Sequence, residues 1–168
     1  MRGPERIALS GPNDSGKSTL PKVIAGSLAP FAGEARMSVP FVMPDQDVSL
    51  LLPGETILGN FRRLDPQAAE NACRSALARL RFRADAALQQ VAALSGGERL
   101  RAGLACVLGG PAPLQLLILD DPTNHLDIAS LEAVEAGLLA YDGALRVVSD
   151  DAAFLARVGV SRQIALAS

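Results

Sequence analysis

Gly11-Pro12-Asn13-Asp14-Ser15-Gly16-Lys17-Ser18 follows directly on the apolar run Ile7-Ala8-Leu9 and leads into a helical pattern that reaches Ala25, where Gly26 stops it. The stretch satisfies G-x-x-x-x-G-K-[ST] in the strand-loop-helix setting that gives this pattern its meaning. Successive backbone N–H groups and a helix start surround phosphate oxygens, Lys17 neutralises the outer ones, and the Ser18 hydroxyl ligates magnesium.

Two further apolar runs look like partners of the first. Leu116 to Leu119 ends on Asp120-Asp121-Pro122, and Leu145 to Val148 ends on Ser149-Asp150. Each reads as a buried parallel strand whose polar tip meets a ligand. Alone, Asp-Asp-Pro after a strand is an ordinary turn and cap. With a phosphate loop in the same chain, Asp120 is the natural second magnesium anchor, since a hard cation takes oxygen ligands. Asp121 then stands where a base or water-orienting group belongs.

Between these strands the pattern turns helical. Asp65 is expected to cap a helix with Pro66 in its first turn, and Ala69, Cys73, Ala76, Leu77 and Leu80 mark its inner face. A second helix opens at Ser95-Gly96-Gly97-Glu98, where Ser95 and Glu98 have capping-box spacing, with Leu100, Leu104, Val107 and Leu108 as its apolar stripe. A third follows Asp127 and carries Leu131, Val134 and Leu138 inward. Alternating strands and helices predict an α/β core with a mostly helical insert.

The 168 residues suffice for one domain, and 49% hydrophobic with 20% charged residues is a globular balance. A net charge of -2 gives no broad attraction to nucleic acid. Cys73 and Cys106 lack C-x-x-C spacing and read as buried thiols, which fits a reducing cytoplasm. Met1 to Glu5 lacks the apolar stretch of a signal peptide, and the apolar runs are too short to cross a bilayer, so no membrane insertion is expected.

Leu94-Ser95-Gly96-Gly97-Glu98 resembles the signature motif of ATP-binding cassette (ABC) proteins, and Asp120-Asp121-Pro122-Thr123-Asn124-His125-Leu126-Asp127 resembles their Walker B and D-loop. The Thr-Asn-His-Leu-Asp run resembles the ABC-F branch, whose members carry two cassettes on one chain and no membrane-spanning domain. The resemblance runs from Ile7 to Leu155 in the family's order. It implies a P-loop cassette over residues 1–168: a mostly parallel sheet flanked by helices, with a helical signature subdomain inserted at about 56–108.

The resemblance also implies a site. ATP would be held by Gly11, Pro12, Asn13, Asp14, Ser15, Gly16, Lys17, Ser18 and Thr19, and magnesium by Ser18, Gln46 and Asp120. Gln46 falls at the family's Q-loop and Asp150 at its switch segment, so Asp121, Gln46 and Asp150 are the catalytic positions. Two cassettes face head to tail, and Ser95, Gly96, Gly97 and Glu98 of one close on ATP held by the other. The same four residues also cap a helix, and both roles hold together. The implied partners are a second cassette and, as for many ABC-F proteins, the ribosome.

Four positions depart from the family pattern. Asp14 replaces a loop glycine and brings a carboxylate toward polyphosphate, at a cost of about 1 to 4 kcal/mol for charges about 4 Å apart. Pro21 replaces a leucine and is expected just past the first helical turn, distorting the helix start. Asp121 replaces glutamate and is one methylene shorter, and such misplacements cost about a hundredfold in rate. Asp150 replaces the switch histidine, exchanging a possible donor for a negative acceptor. ATP binding is therefore expected to survive while hydrolysis is slow or absent. The alternatives are a non-hydrolysing module that dimerises on ATP and the ATP-binding subunit of a membrane transporter. The family's first two strands and its linker between cassettes are expected to be missing.

Overall fold

A computed structural model of the chain describes residues 4–12, 15–35, 37–44, 48–110, 114–124 and 126–166. The three expected apolar runs form strands β1 (Arg6–Ser10), β3 (Leu116–Asp120) and β4 (Ala144–Val148), joined by β2 (Phe41–Val42) and β5 (Arg162–Ala165). All pair in parallel, in the order β2-β3-β4-β1-β5. β2 is too short to carry a periodic signal, and the edge strand β5 is largely exposed, so neither announced itself in the sequence.

The chain divides into two compact units. The sheet unit comprises Met1–Met43, Gln115–Thr123 and Asp142–Ser168, and the helical unit comprises Pro44–Leu114 and Asn124–Tyr141. The helical unit is thus wider than the pattern between about 56 and 108 suggested, and it takes in the helix after Asp127.

In the sheet unit, Leu116, Ile118 and Ala144 pack with Ile24, Met37, Phe41 and Met43 on one face. Helix α1 (Thr19–Ile24) follows the loop and ends in a Schellman turn: Ser27 N–H donates to Lys22 O and Gly26 N–H to Val23 O, with Gly26 left-handed at φ +76°.

The helical unit has its own core around Phe61, Leu77, Val91 and Cys106. Helix α2 (Ile57–Leu64) is capped by Thr56, whose side chain accepts from Gly59 N–H. Asp65 ends α2 rather than starting the next helix, and α3 (Glu70–Arg79) begins after Ala69. The Asp65 carboxylate instead accepts from Gln67 N–H at 3.3 Å within the turn. An Asp-Pro pair suits a helix exit as well as an entry, and burial of Ile57, Leu58 and Phe61 decides for the exit.

Helix α4 (Gly96–Leu108) is buried from Arg101 through Cys106, all round rather than along a stripe: Leu104 is buried, and Leu100, Val107 and Leu108 only half so. In α5 (Ile128–Leu139), Val134 and Leu138 are buried and Leu131 is half-buried. A short α6 (Ala152–Arg157) returns the chain to β5. Among the described residues no helix is long and apolar enough to cross a membrane.

Candidate functional site

Parallel pairing sets the tips of three strands side by side. Val148 of β4 is in register with Leu9 of β1 and with Asp120 of β3. The loop after β1, Asp120-Asp121 after β3 and Ser149-Asp150 after β4 therefore leave the sheet together, at the carboxyl end where open α/β sheets take ligands.

Ser18 and Asp120 meet across 102 residues of sequence: the Ser18 hydroxyl donates to Asp120 Oδ1 at 3.1 Å. Ser18 is the N-cap of α1, yet its side chain makes no cap hydrogen bond. Lys17 Nζ donates to Gly11 O and to Asp150 Oδ2, each at 2.7 Å. The Ser15 hydroxyl is buried without a hydrogen-bond partner among the described residues, a state that disfavours the loop until a partner is supplied. Gly16, at φ +86°, takes a backbone conformation that a side chain would strain.

Pro21 lies within the first turn of α1, not past it. Thr19 N–H and Leu20 N–H both donate to Gly16 O, at 3.0 and 2.9 Å. Pro21 has no N–H to continue that ladder, so regular helix starts only at Thr19 although Ser18 is already helical at φ −81°, ψ −17°. In a first turn the missing donor is one the helix leaves unmatched anyway.

Asp121 stands at φ +45°, where aspartate settles more readily than most side chains. Glutamate lacks that short-range tolerance, which is a local reason for the shorter acid here. Desolvation, then Asp120 and Asp150, push the Asp121 carboxyl above its ordinary value, and Lys17 partly offsets them.

The donor set suits magnesium. A hydroxyl and a carboxylate at hydrogen-bond distance are hard oxygen ligands, and magnesium commonly takes one or two from protein and the rest from phosphate and water. Among the described residues no group of three His, Cys, Asp or Glu side chains forms a metal cage of its own.

Ser95, Gly96, Gly97 and Glu98 belong to the helical unit and form a complete capping box. The Ser95 hydroxyl accepts from Glu98 N–H at 3.3 Å and Glu98 Oε2 accepts from Ser95 N–H at 2.9 Å. A Cβ on Gly97 would lie 2.9 Å from Leu126 Cδ2, so this glycine also serves close packing, a role that its place in the motif did not reveal. Asn13, Asp14, Gln46 and His125 lie outside the described residues.

Similar proteins extend this geometry. Probable ATP-binding protein YheS of Escherichia coli is 38% identical over 149 residues, covering 87% of this chain and 23% of its own length. ABC transporter F family member 5 of Arabidopsis thaliana is 36% identical over 158 residues, covering 92% of this chain and 22% of its own. The chain thus spans less than a quarter of these relatives. The solved structure of RNase-L Inhibitor superposes with a TM-score of 0.78 at 25% identity over 97% of this chain and 32% of that one. The family model described as ABC transporter matches residues 1–124, which include the phosphate loop, the capped helix start and the paired aspartates, and the chain belongs to that family with relatives in its ABC-F branch.

Proposed function

We propose that the chain binds ATP with magnesium through the loop from Gly11 to Thr19 and hydrolyses it slowly. The observation that carries this reading is the 3.1 Å contact of Ser18 with Asp120, a hydroxyl and a carboxylate brought together across 102 residues of sequence. Lys17 and the loop N–H groups bind the phosphates, and Ser18 and Asp120 hold the cation. Bound magnesium would supply charge neutralisation between the phosphates. Asp121 orients water by accepting its proton, from a shorter side chain on a left-handed backbone. The name of the Escherichia coli relative, which calls it a probable ATP-binding protein, supports the ligand class.

The chain acts beside a second cassette, whose ATP its Ser95 to Glu98 segment would meet; relatives about four times as long support a larger assembly. Ribosome association and a cytoplasmic location follow from ABC-F kinship as proposals.

Calorimetric titration with ATP, with and without magnesium, tests the first part, with tighter binding expected in magnesium. Single-turnover cleavage by the chain and by Asp121→Glu with Asp150→His tests the second. Faster cleavage by the double variant is expected, and equal rates would sink the claim of impaired chemistry.

A further inference from the structure

The ammonium of Lys17 already has an anion on it. Its side chain is 11% exposed and its nitrogen lies 2.7 Å from Asp150 Oδ2. An ammonium has three donors. One goes to Gly11 O within the loop and one to the Asp150 carboxylate. A short contact between full charges is among the stronger hydrogen bonds. The carboxylate itself is 65% exposed, so it can leave Lys17 and be rehydrated without disturbing the core.

The topology fixes this pairing. Lys17 and Asp150 are 133 residues apart, but β1 and β4 are neighbours, with Leu9 opposite Val148. Asp150 follows β4 by two residues and cannot move far from the loop while that pairing holds. Asp121 N–H donates to Val148 O at 2.9 Å, so the backbone of the paired aspartates is tied to the same strand end.

A polyphosphate that takes Lys17 must therefore displace Asp150, and the released carboxylate stays tethered beside the phosphates, near Asp120 and Asp121. The repulsion grows with each phosphoryl group added toward the strand tips. A diphosphate, held mainly by the loop's backbone N–H groups, meets it less than a triphosphate does.

We propose that Asp150 is a built-in competitor for Lys17 that turns the site's preference from nucleoside triphosphate toward diphosphate. This rests on the phosphate-loop reading above and adds the selectivity of the same site.

The test measures dissociation constants for ADP and ATP, in magnesium, for the chain, Asp150→Asn, Lys17→Ala and the double variant. Asp150→Ala serves as a second neutral replacement, and thermal melts confirm folding. Neutralising Asp150 is expected to tighten ATP at least tenfold and ADP by less than threefold, a gap that narrows in high salt. On the Lys17→Ala background the same change is expected to alter the ATP-to-ADP ratio by less than twofold, since the contested cation is gone. An unchanged ratio in Asp150→Asn, or an equal shift with and without Lys17, overturns the competitor while leaving the phosphate loop intact. Binding of neither nucleotide by any of the proteins overturns both.

Discussion

Ser18 and Ser95 hold the same formal place, the N-cap of a helix, in two different units, and they use their hydroxyls differently. Ser95 accepts from Glu98 N–H, and Glu98 returns the bond, so the start of α4 satisfies itself. Ser18 leaves its helix without a side-chain cap and turns to Asp120 at the tip of β3, two strands away from β1. The start of α4 keeps its polar groups for its own backbone, although deeper in that unit Arg99 Nε and Arg101 Nε are buried without a hydrogen-bond partner among the described residues. The tips of the sheet unit hold theirs in unresolved tension: an ammonium on a carboxylate, three acids close together, a Ser15 hydroxyl without a partner among the described residues. A helix start that satisfies itself reads as structure, and opposed and like charges crowded at the strand tips read as room for a charged ligand.

The largest effect expected on the helical side is alkaline. Burial pushes the Cys106 thiol up to about 12 from an ordinary 9.0, with Cys73 adding and Arg63 opposing. A raised value means that the folded state favours the neutral thiol. Its stabilising contribution is fully present below about 9 and is lost as pH rises through about 12, amounting to about 4 kcal/mol. Urea midpoints across that window, for the chain against Cys106→Ala, should show the variant losing less stability. Parallel curves would mean that Cys106 is open to solvent and that the interior of this unit is less closed than its caps suggest.

The next effect separates the two ends of α4. A Cβ on Gly109 would lie 2.5 Å from Ala76 Cβ and 2.8 Å from Ala105 O, neither of which can swing away, while a Cβ on Gly96 meets nothing within 4 Å. Gly109→Ala should lower stability by about 1 to 3 kcal/mol. Gly96→Ala should be neutral or gain up to about 1 kcal/mol by helix propensity. Chemical denaturation reads both, and equal effects would remove packing as what fixes the end of this helix.

How much of this was open to sequence reasoning follows the same division. The loop, the strand before it and the aspartate tips were legible because their chemistry is carried by residue types at short fixed spacing. The Ser95 to Glu98 box was legible for the same reason. Asp65 was misread because an Asp-Pro pair fits either end of a helix and only the burial of α2 settles which. The resemblance put Asp150 in the same site as Lys17, but the ion pair between them was beyond reach, since nothing local links residues 133 apart until the register of β1 and β4 is known. The left-handed backbone of Asp121 was hidden too, and it is one that aspartate adopts more readily than glutamate.

The smallest effect bears most directly on the two serines. Ser95→Ala removes the acceptor for Glu98 N–H and should cost about 1 kcal/mol of stability, as loss of a helix N-cap does. Ser18→Ala removes no cap bond, so its stability should stay within about 0.5 kcal/mol of the parent chain. On the proposed reading it removes a cation ligand, so the gain in ATP affinity on adding magnesium should fall roughly tenfold. Denaturant midpoints for both variants and magnesium-dependent ATP titration for Ser18→Ala make the comparison. A Ser18→Ala chain as destabilised as Ser95→Ala, with its magnesium response intact, would show that its hydroxyl serves the fold after all, and Asp120 would then be its structural partner rather than its fellow ligand.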